Sequence, residues 1–471
     1  MTRGVEPQTS SVGAGTTGWP SSERLVVATV ALGTMLAPLN STMIAVALPG
    51  VMDDFGVGIA SAGWLITAYL AAMASLQPVA GKLGDRLGRR RLVIGGLLAF
   101  GATSVGAALA PNLWVLLAFR TLQAVAGALI VPNGAALLRE AVPEGRRGRS
   151  FGSLGVAIAL AAGAGPPIGG ILVEVAGWRA IFYANLVLVA PAVALGWRCL
   201  PRPKLPAATV RFDVPGALLL PVVLVLSAGL LMSIGRGLSP VAISVGIVAA
   251  VAVGAAFMVH ELRHPDPVFQ PRLFRRRAFA AANGGIGLAN LSMYTLLLSV
   301  PLLLIDGGRA SSLQTGMVLA ALSASMIVLA PVGGRLADRF GRRLPTVFGL
   351  AVLAVGALPI AMGGADIGMT TLVVGLALVG SGLALATPGL QATAVESVRP
   401  EQAGAAAGVY STSRYIGSIL GSAIMAGLLG ADRGDAGAMG TVFVAVLVAG
   451  ILAAVVSLGL RPRPQVADAE P

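Results

Sequence analysis

Long apolar stretches follow one another along almost the whole chain, separated by short polar or charged breaks. A helix needs about 20 apolar residues to cross a bilayer. Fourteen stretches of that kind are predicted, at 25–49, 60–80, 92–110, 113–137, 150–173, 180–199, 215–234, 239–259, 279–304, 314–333, 344–362, 370–394, 403–428 and 440–460. Apolar and polar positions do not alternate within them, which excludes an outer-membrane barrel. The pattern predicts an all-α multi-pass membrane protein with fourteen transmembrane helices.

Composition sharpens this. Of 471 residues, 56% are hydrophobic and only 11% charged, and the mean hydropathy is +0.85. Soluble domains carry roughly 25% charged residues, so a soluble globule is excluded, and a chain this apolar is not disordered. The formal charge of +13 suits nucleic acid in a soluble protein. Here it is read through the bias that keeps basic loops in the cytoplasm, and no nucleic-acid partner is expected. The tails and the loops after even-numbered spans, with their edges, hold 27 Lys and Arg; the loops after odd-numbered spans hold four, Arg179, Arg236, Arg309 and Arg433. Both termini are therefore expected in the cytoplasm, with residues 1–24 and 461–471 as tails. The run from Leu25 leads into further spans and reads as a first span rather than a cleaved leader. The lone Cys199 excludes an internal disulfide and a Cys-based zinc cluster. No Walker loop is present, so ATP is not expected to drive the protein, and no cofactor is expected.

One motif occurs twice. Gly81-Lys-Leu-Gly-Asp85-Arg86-Leu-Gly88-Arg89 follows span 2, and Gly334-Arg-Leu-Ala-Asp338-Arg339-Phe-Gly341-Arg342 follows span 10. The copies lie 253 residues apart. They divide the chain into a six-span half at 25–200, an extra pair of spans with flanking loops at 201–278, and a second six-span half at 279–460. Parallel halves suggest a transporter that rocks about a central cavity. Asp85 and Asp338 are expected near the next helix N-termini, where an anion is favoured. With the arginines they would make a breakable charged latch in the cytoplasmic connections.

These residues resemble the signature loop of the major facilitator superfamily. Other stretches resemble its fourteen-helix drug:proton antiporter branch: Leu39-Asn40-Ser-Thr42 to Leu48-Pro49, Arg120-Thr-Leu-Gln123, Gly165-Pro166-Pro-Ile-Gly169-Gly170, Trp178-Arg179-Ala-Ile181-Phe182, Phe212-Asp213-x-Pro-Gly216 and Pro271-Arg-Leu273-Phe274. The resemblance covers residues 25 to about 460. It implies a major facilitator fold, export of small amphipathic compounds (drugs, antibiotics or metabolites) across a bacterial plasma membrane, alternating access and proton antiport. The chain departs from the family at Asn40, where the motif has an acid. A uniporter, or a differently coupled exporter of anionic or neutral metabolites, therefore stays open.

Span 5 is expected to act as a bend. Pro166 and Pro167 remove backbone donors, while Gly163, Gly165, Gly169 and Gly170 offer a side-chain-free strip to a partner helix. Ionisable groups inside a membrane are usually functional. Arg120 is expected roughly 10 Å from the outer end of span 4, Asn40 roughly 14 Å from that of span 1, and Arg414 near mid-depth in span 13. Asn40, Arg120, Gln123, Asn290 and Arg414 are the predicted cargo cavity. Asn133, Asn185 and Gln391 read as interhelical glue. With no deep carboxylate, the cavity should be net positive. His260-Glu261-Leu-Arg-His264 matches the zincin pattern; it is read as a solvated helix end, with an intramembrane zinc hydrolase as a distant alternative. The protein is expected to be a monomer in the lipid bilayer, with protons and a small-molecule cargo as partners and no bound metal.

Overall fold

The computed structural model describes residues 21–201, 213–233, 239–265, 267–399, 402–429 and 436–461. Most of both predicted tails, together with Lys204, Phe212, Arg236 and Arg433, lies outside the described residues. The described residues form fourteen long helices: α1 (Ser21–Phe55), α2 (Trp64–Leu87), α3 (Arg89–Ala108), α4 (Leu113–Ala141), α5 (Glu144–Ala176), α6 (Ala180–Cys199), α7 (Val214–Met232), α8 (Pro240–Arg263), α9 (Arg277–Pro301), α10 (Ser312–Phe340), α11 (Arg343–Gly363), α12 (Met369–Glu396), α13 (Ala403–Leu429) and α14 (Ala436–Ser457). Among the described residues, thirteen stretches are long and apolar enough to cross a membrane. The 27-residue α13, which carries Arg414, is the fourteenth helix.

The expected repeat is visible in the packing. Within the first six helices, α1 packs on α5 and α6, α4 on α2 and α3, and α3 on α6. Within the last six, α9 packs on α13 and α14, α12 on α10 and α11, and α11 on α14. Adding eight to each helix number turns one set into the other. The two sets meet along two seams that obey the same rule, α5 against α10 and α2 against α13. The helices α7 and α8 form a hairpin outside this scheme, and α7 rests on both α2 and α13.

Helix ends follow local chemistry. Asn112 caps α4 by accepting the Val115 N–H at 3.0 Å, and Ser311 and Gln314 form a reciprocal capping box at α10. The repeated motif stays helical much further than the expected connections allow. Gly81–Leu87 continues α2, and Gly334–Phe340 continues α10. Hydropathy marks where a helix leaves the lipid; the backbone keeps its hydrogen bonds beyond that point. The stop is the last glycine of each copy, Gly88 at φ 91° and Gly341 at φ 82°, a left-handed region that L side chains avoid.

Candidate functional site

At the end of the bundle from which α1 starts, the two motif copies build matching ion triads. Arg89 binds Asp85 at 2.6 Å and Glu140, at the end of α4, at 2.5 Å. Arg342 binds Asp338 at 2.7 Å and Glu396, at the end of α12, at 2.8 Å. The Glu396 and Asp338 carboxylates hold the Arg342 guanidinium above its ordinary pKa. Each triad ties α2 to α4, or α10 to α12, inside its own half. Glu140 and Glu396 were not anticipated, although each is the acid closing the helix that packs on the motif. Arg339 stacks on Phe340 at 5.3 Å.

Toward the other end, Arg120 is fully buried and lies seven residues inside α4. Its Nη1 donates to Asn40 Oδ1 on α1 and, at 2.8 Å, to Gln123 Oε1. Gln123 donates to Ser104 on α3 at 2.7 Å, and Asn185 on α6 donates to the same hydroxyl at 3.2 Å. The guanidinium lies over the Tyr69 ring at 4.4 Å, a favourable cation–π geometry. Its Nε and Nη2, with Asn40 Nδ2 and Tyr69 OH, are buried without a hydrogen-bond partner. These are all donors, and an electron-rich group is what would satisfy them. Among the described residues the only buried carboxylates are Asp213 and Glu261, both in the α7–α8 hairpin.

The second half contributes Arg414, eleven residues into α13 and exposed, over the Tyr415 ring at 5.3 Å. Tyr294 on α9 lies within coulombic reach of both Arg414 and Arg120, and its hydroxyl hydrogen-bonds Ser41 on α1 at 2.9 Å. Gln77 on α2 donates to Tyr415 OH at 3.0 Å. The predicted residues Asn40, Arg120 and Gln123 thus come together, with Arg414 across the seam. Asn290 does not join them by a hydrogen bond: its amide donates to Ile286 O of its own helix at 3.1 Å. Depth along a helix can be read from sequence, but the facing direction of a lone polar residue cannot. Asn185, read as glue, sits in the Arg120 network through Ser104. Asn133 is glue, bonding Ala80 O on α2 at 2.9 Å.

The span 5 strip has two edges. A Cβ on Gly165 would meet Thr42 and Leu39 O, and one on Gly169 would lie 3.1 Å from the Met43 backbone, both on α1. A Cβ on Gly170 would lie 2.6 Å from Ser312 O on α10, and Gly316 of α10 packs against Pro166 O. Helix α5 is therefore wedged between its own half and the other. Nearer the chain reversal, Trp178 and Arg179 both bind Asp54 at the end of α1, at 3.2 and 2.6 Å. The contacts between halves run from Leu313 N on Glu174 at 3.3 Å, through Thr67 on Ser422 at 3.0 Å, to Gln77 on Tyr415 at mid-depth.

The zincin-like segment is not a solvated helix end. Glu261 is 2% exposed and accepts the Phe269 N–H at 2.8 Å. His260 Nε2 lies 2.6 Å from Asp213, spent on a carboxylate. Among the described residues, no group of three or more His, Cys, Asp or Glu is placed to hold a metal ion.

The profile of the Major Facilitator Superfamily matches residues 30–421 and 282–471. An uncharacterized MFS-type transporter of Bacillus subtilis (strain 168), YvkA, is 33% identical over 442 residues, covering 93% of this chain and 96% of the relative. The tetracenomycin C resistance and export protein of Streptomyces glaucescens is 31% identical, covering 88% of this chain and 77% of its own. A multidrug resistance protein B homolog of Mycobacterium tuberculosis (strain CDC 1551 / Oshkosh) is 32% identical, covering 84% and 74%. In fold, a bacterial homolog of the human lysosomal transporter Spinster, solved in an inward-facing and unoccupied conformation, matches with a TM-score of 0.67 at 17% identity, over 96% of this chain and 100% of that one. These relatives are transporters, which removes the hydrolase alternative: the protein is not an enzyme. A repeated six-helix packing, fourteen long helices and relatives above 30% identity across most of the chain lead to one assignment: the chain belongs to the Major Facilitator Superfamily, as a multi-pass membrane transporter.

Proposed function

We propose that the chain exports small amphipathic compounds (drugs, antibiotics or metabolites) across a bacterial plasma membrane by alternating access. Both termini face the cytoplasm, as the basic loops require. The observation that carries this reading is the polar cluster where two pseudo-symmetric halves meet: buried Arg120 with Asn40 and Gln123 in the first half, and in the second Tyr294, hydrogen-bonded across to Ser41, with the exposed Arg414. Contacts between the halves from the far end to mid-depth fit a state open toward the cytoplasm. The names of the Streptomyces and Mycobacterium relatives, an export protein and a multidrug resistance protein, point the same way. The division into 25–200, 201–278 and 279–460, the triads as cytoplasmic gate and α5 as gating element belong to the same proposal.

Proton antiport is the coupling that the antiporter-like motifs of this sequence imply. Asn40 favours the second reading, uniport or another coupling with anionic or neutral cargo. Two arginines without a mid-depth carboxylate make the seam electropositive, and a low-dielectric cavity disfavours like charge. The test is accumulation of matched anionic and cationic compounds in cells lacking their own exporters, with and without a protonophore. Export abolished by the protonophore supports proton antiport. Export of anions that survives it supports the second reading, and accumulation unaffected by the protein overturns both.

A further inference from the structure

The root of the α7–α8 hairpin holds two buried acids. Asp213 is fully buried and caps α7. Its Oδ1 accepts the Gly216 N–H at 2.9 Å and faces His260 Nε2 at 2.6 Å. Glu261, in the last turn of α8, spends Oε2 on the Phe269 N–H of the strap leading to α9. The remaining oxygens, Asp213 Oδ2 and Glu261 Oε1, are both buried and without a hydrogen-bond partner. They converge on Gly216. A Cβ there would lie 2.3 Å from the first and 2.4 Å from the second, so the oxygens are at most 4.7 Å apart.

Two ionised carboxylates that close, shielded from water, repel, and such a pair retains one proton well past the ordinary carboxylate range. Among the described residues, the titratable groups whose charge reaches the pair are His260 and His264. His264 Nδ1 stands 3.8 Å from Asp213 Oδ2 and stacks on His260 at 5.5 Å. From the turn before α9, Arg272 is engaged with Leu262 O at 2.7 Å. We propose that Asp213 and Glu261 bind one proton between them, and that this proton clasps the hairpin root. Burial pushes the Asp213 carboxyl up, but the His260 and Gly216 hydrogen bonds and the two imidazoles outweigh it and hold it below its ordinary value. The proton is thus a property of the pair rather than of Asp213 alone.

The clasp matters because α8 has little else to hold it. Only 6% of its most apolar window is buried, and it packs chiefly on α7 and on the turn at Pro271–Arg275. The acid pair joins the start of α7, the end of α8 and the strap in one place. Since the clasped form binds the extra proton, it is held at lower pH and released as pH rises through the pair's titration.

The test is pH-difference infrared spectroscopy of the full-length protein in lipid nanodiscs. One protonated-carboxyl stretching band should vanish as pH rises, and it should be missing from both Asp213→Asn and Glu261→Gln. A band kept by both variants, or no such band in the wild type, overturns the proposal. His260→Gln keeps both acids and covers the case of poorly inserted acid variants. It should retain the band with a displaced midpoint, and an unchanged midpoint counts against the proposal. Stoichiometric binding of Zn²⁺ alone, abolished in His260→Gln, would replace the proton by a cation. None of these readouts depends on transport.

Discussion

Arg120 carries a charge that the protein balances with neutral dipoles and an aromatic face. Asn40, Gln123 and Tyr69 satisfy part of the guanidinium, and two of its nitrogens stay unpaired. Asn40→Asp places a carboxylate against Nη1. Charged hydrogen bonds contribute ~1.5–3 kcal/mol, so this variant should unfold at a higher temperature, as read by thermal scanning of the purified protein. It should also move cargo preference toward cations and make efflux more pH-dependent. Unchanged selectivity together with an unchanged melting temperature would remove Arg120 from the cargo path. Arg120→Ala should abolish export of an anionic cargo while the protein still reaches the membrane. The pairing of Asn40 with Arg120 was legible in the sequence, since both lie at similar depth on spans that a short polar side chain can bridge. Ser104, which draws Gln123 and Asn185 together, was not: a serine in an apolar helix gives no sign of what it faces.

At the scale of single helices, α5 and the motif ends make separate predictions. Gly169 abuts the Met43 backbone, so Gly169→Leu forces a bulky side chain between α5 and α1. Overpacking typically costs 1–3 kcal/mol; insertion should survive and export should fall severalfold in an efflux assay. Full-rate export would show that α5 has no gating role. The triads are half-exposed, and ion pairs of that kind contribute about 0–1 kcal/mol. Asp85→Asn should therefore leave expression and melting temperature nearly unchanged while lowering transport, and Asp338→Asn should do so more mildly. A large stability loss in either variant would make the triads structural. The motif's existence and register were plain in the sequence because charges stand out against apolar runs. Its helical continuation was not, because hydropathy reports lipid contact rather than backbone hydrogen bonding. The partners Glu140 and Glu396 come from helices packed alongside, which spacing along the chain does not encode.

At the scale of the whole molecule, the described residues join the two halves by three side-chain to side-chain hydrogen bonds, besides the Leu313 N–H on Glu174. Ser41–Tyr294, Thr67–Ser422 and Gln77–Tyr415 are hydrogen bonds of a kind that averages about 0.6 kcal/mol between membrane helices. Three of them together amount to roughly 2 kcal/mol, small enough to be broken and remade during a transport cycle. Linking Thr67→Cys to Ser422→Cys should stop transport, and reduction should restore it; transport that continues through the cross-link would mean that this seam does not open. The repeat made two halves legible, whereas the seat of α7 on α2 and α13 was not, since an evenly apolar helix carries no record of its neighbours. That seat leaves the bundle lopsided within the plane of the bilayer. Among the described residues, one seam is roofed by a helix, and its counterpart between α5 and α10 has no such cover. A greasy solute already dissolved in the lipid thus meets one open flank and one guarded flank. A photoreactive lipophilic probe should mark α5 and α10 ahead of the facing surfaces of α2 and α13. The side on which a compound waits in the membrane then decides its access to the seam.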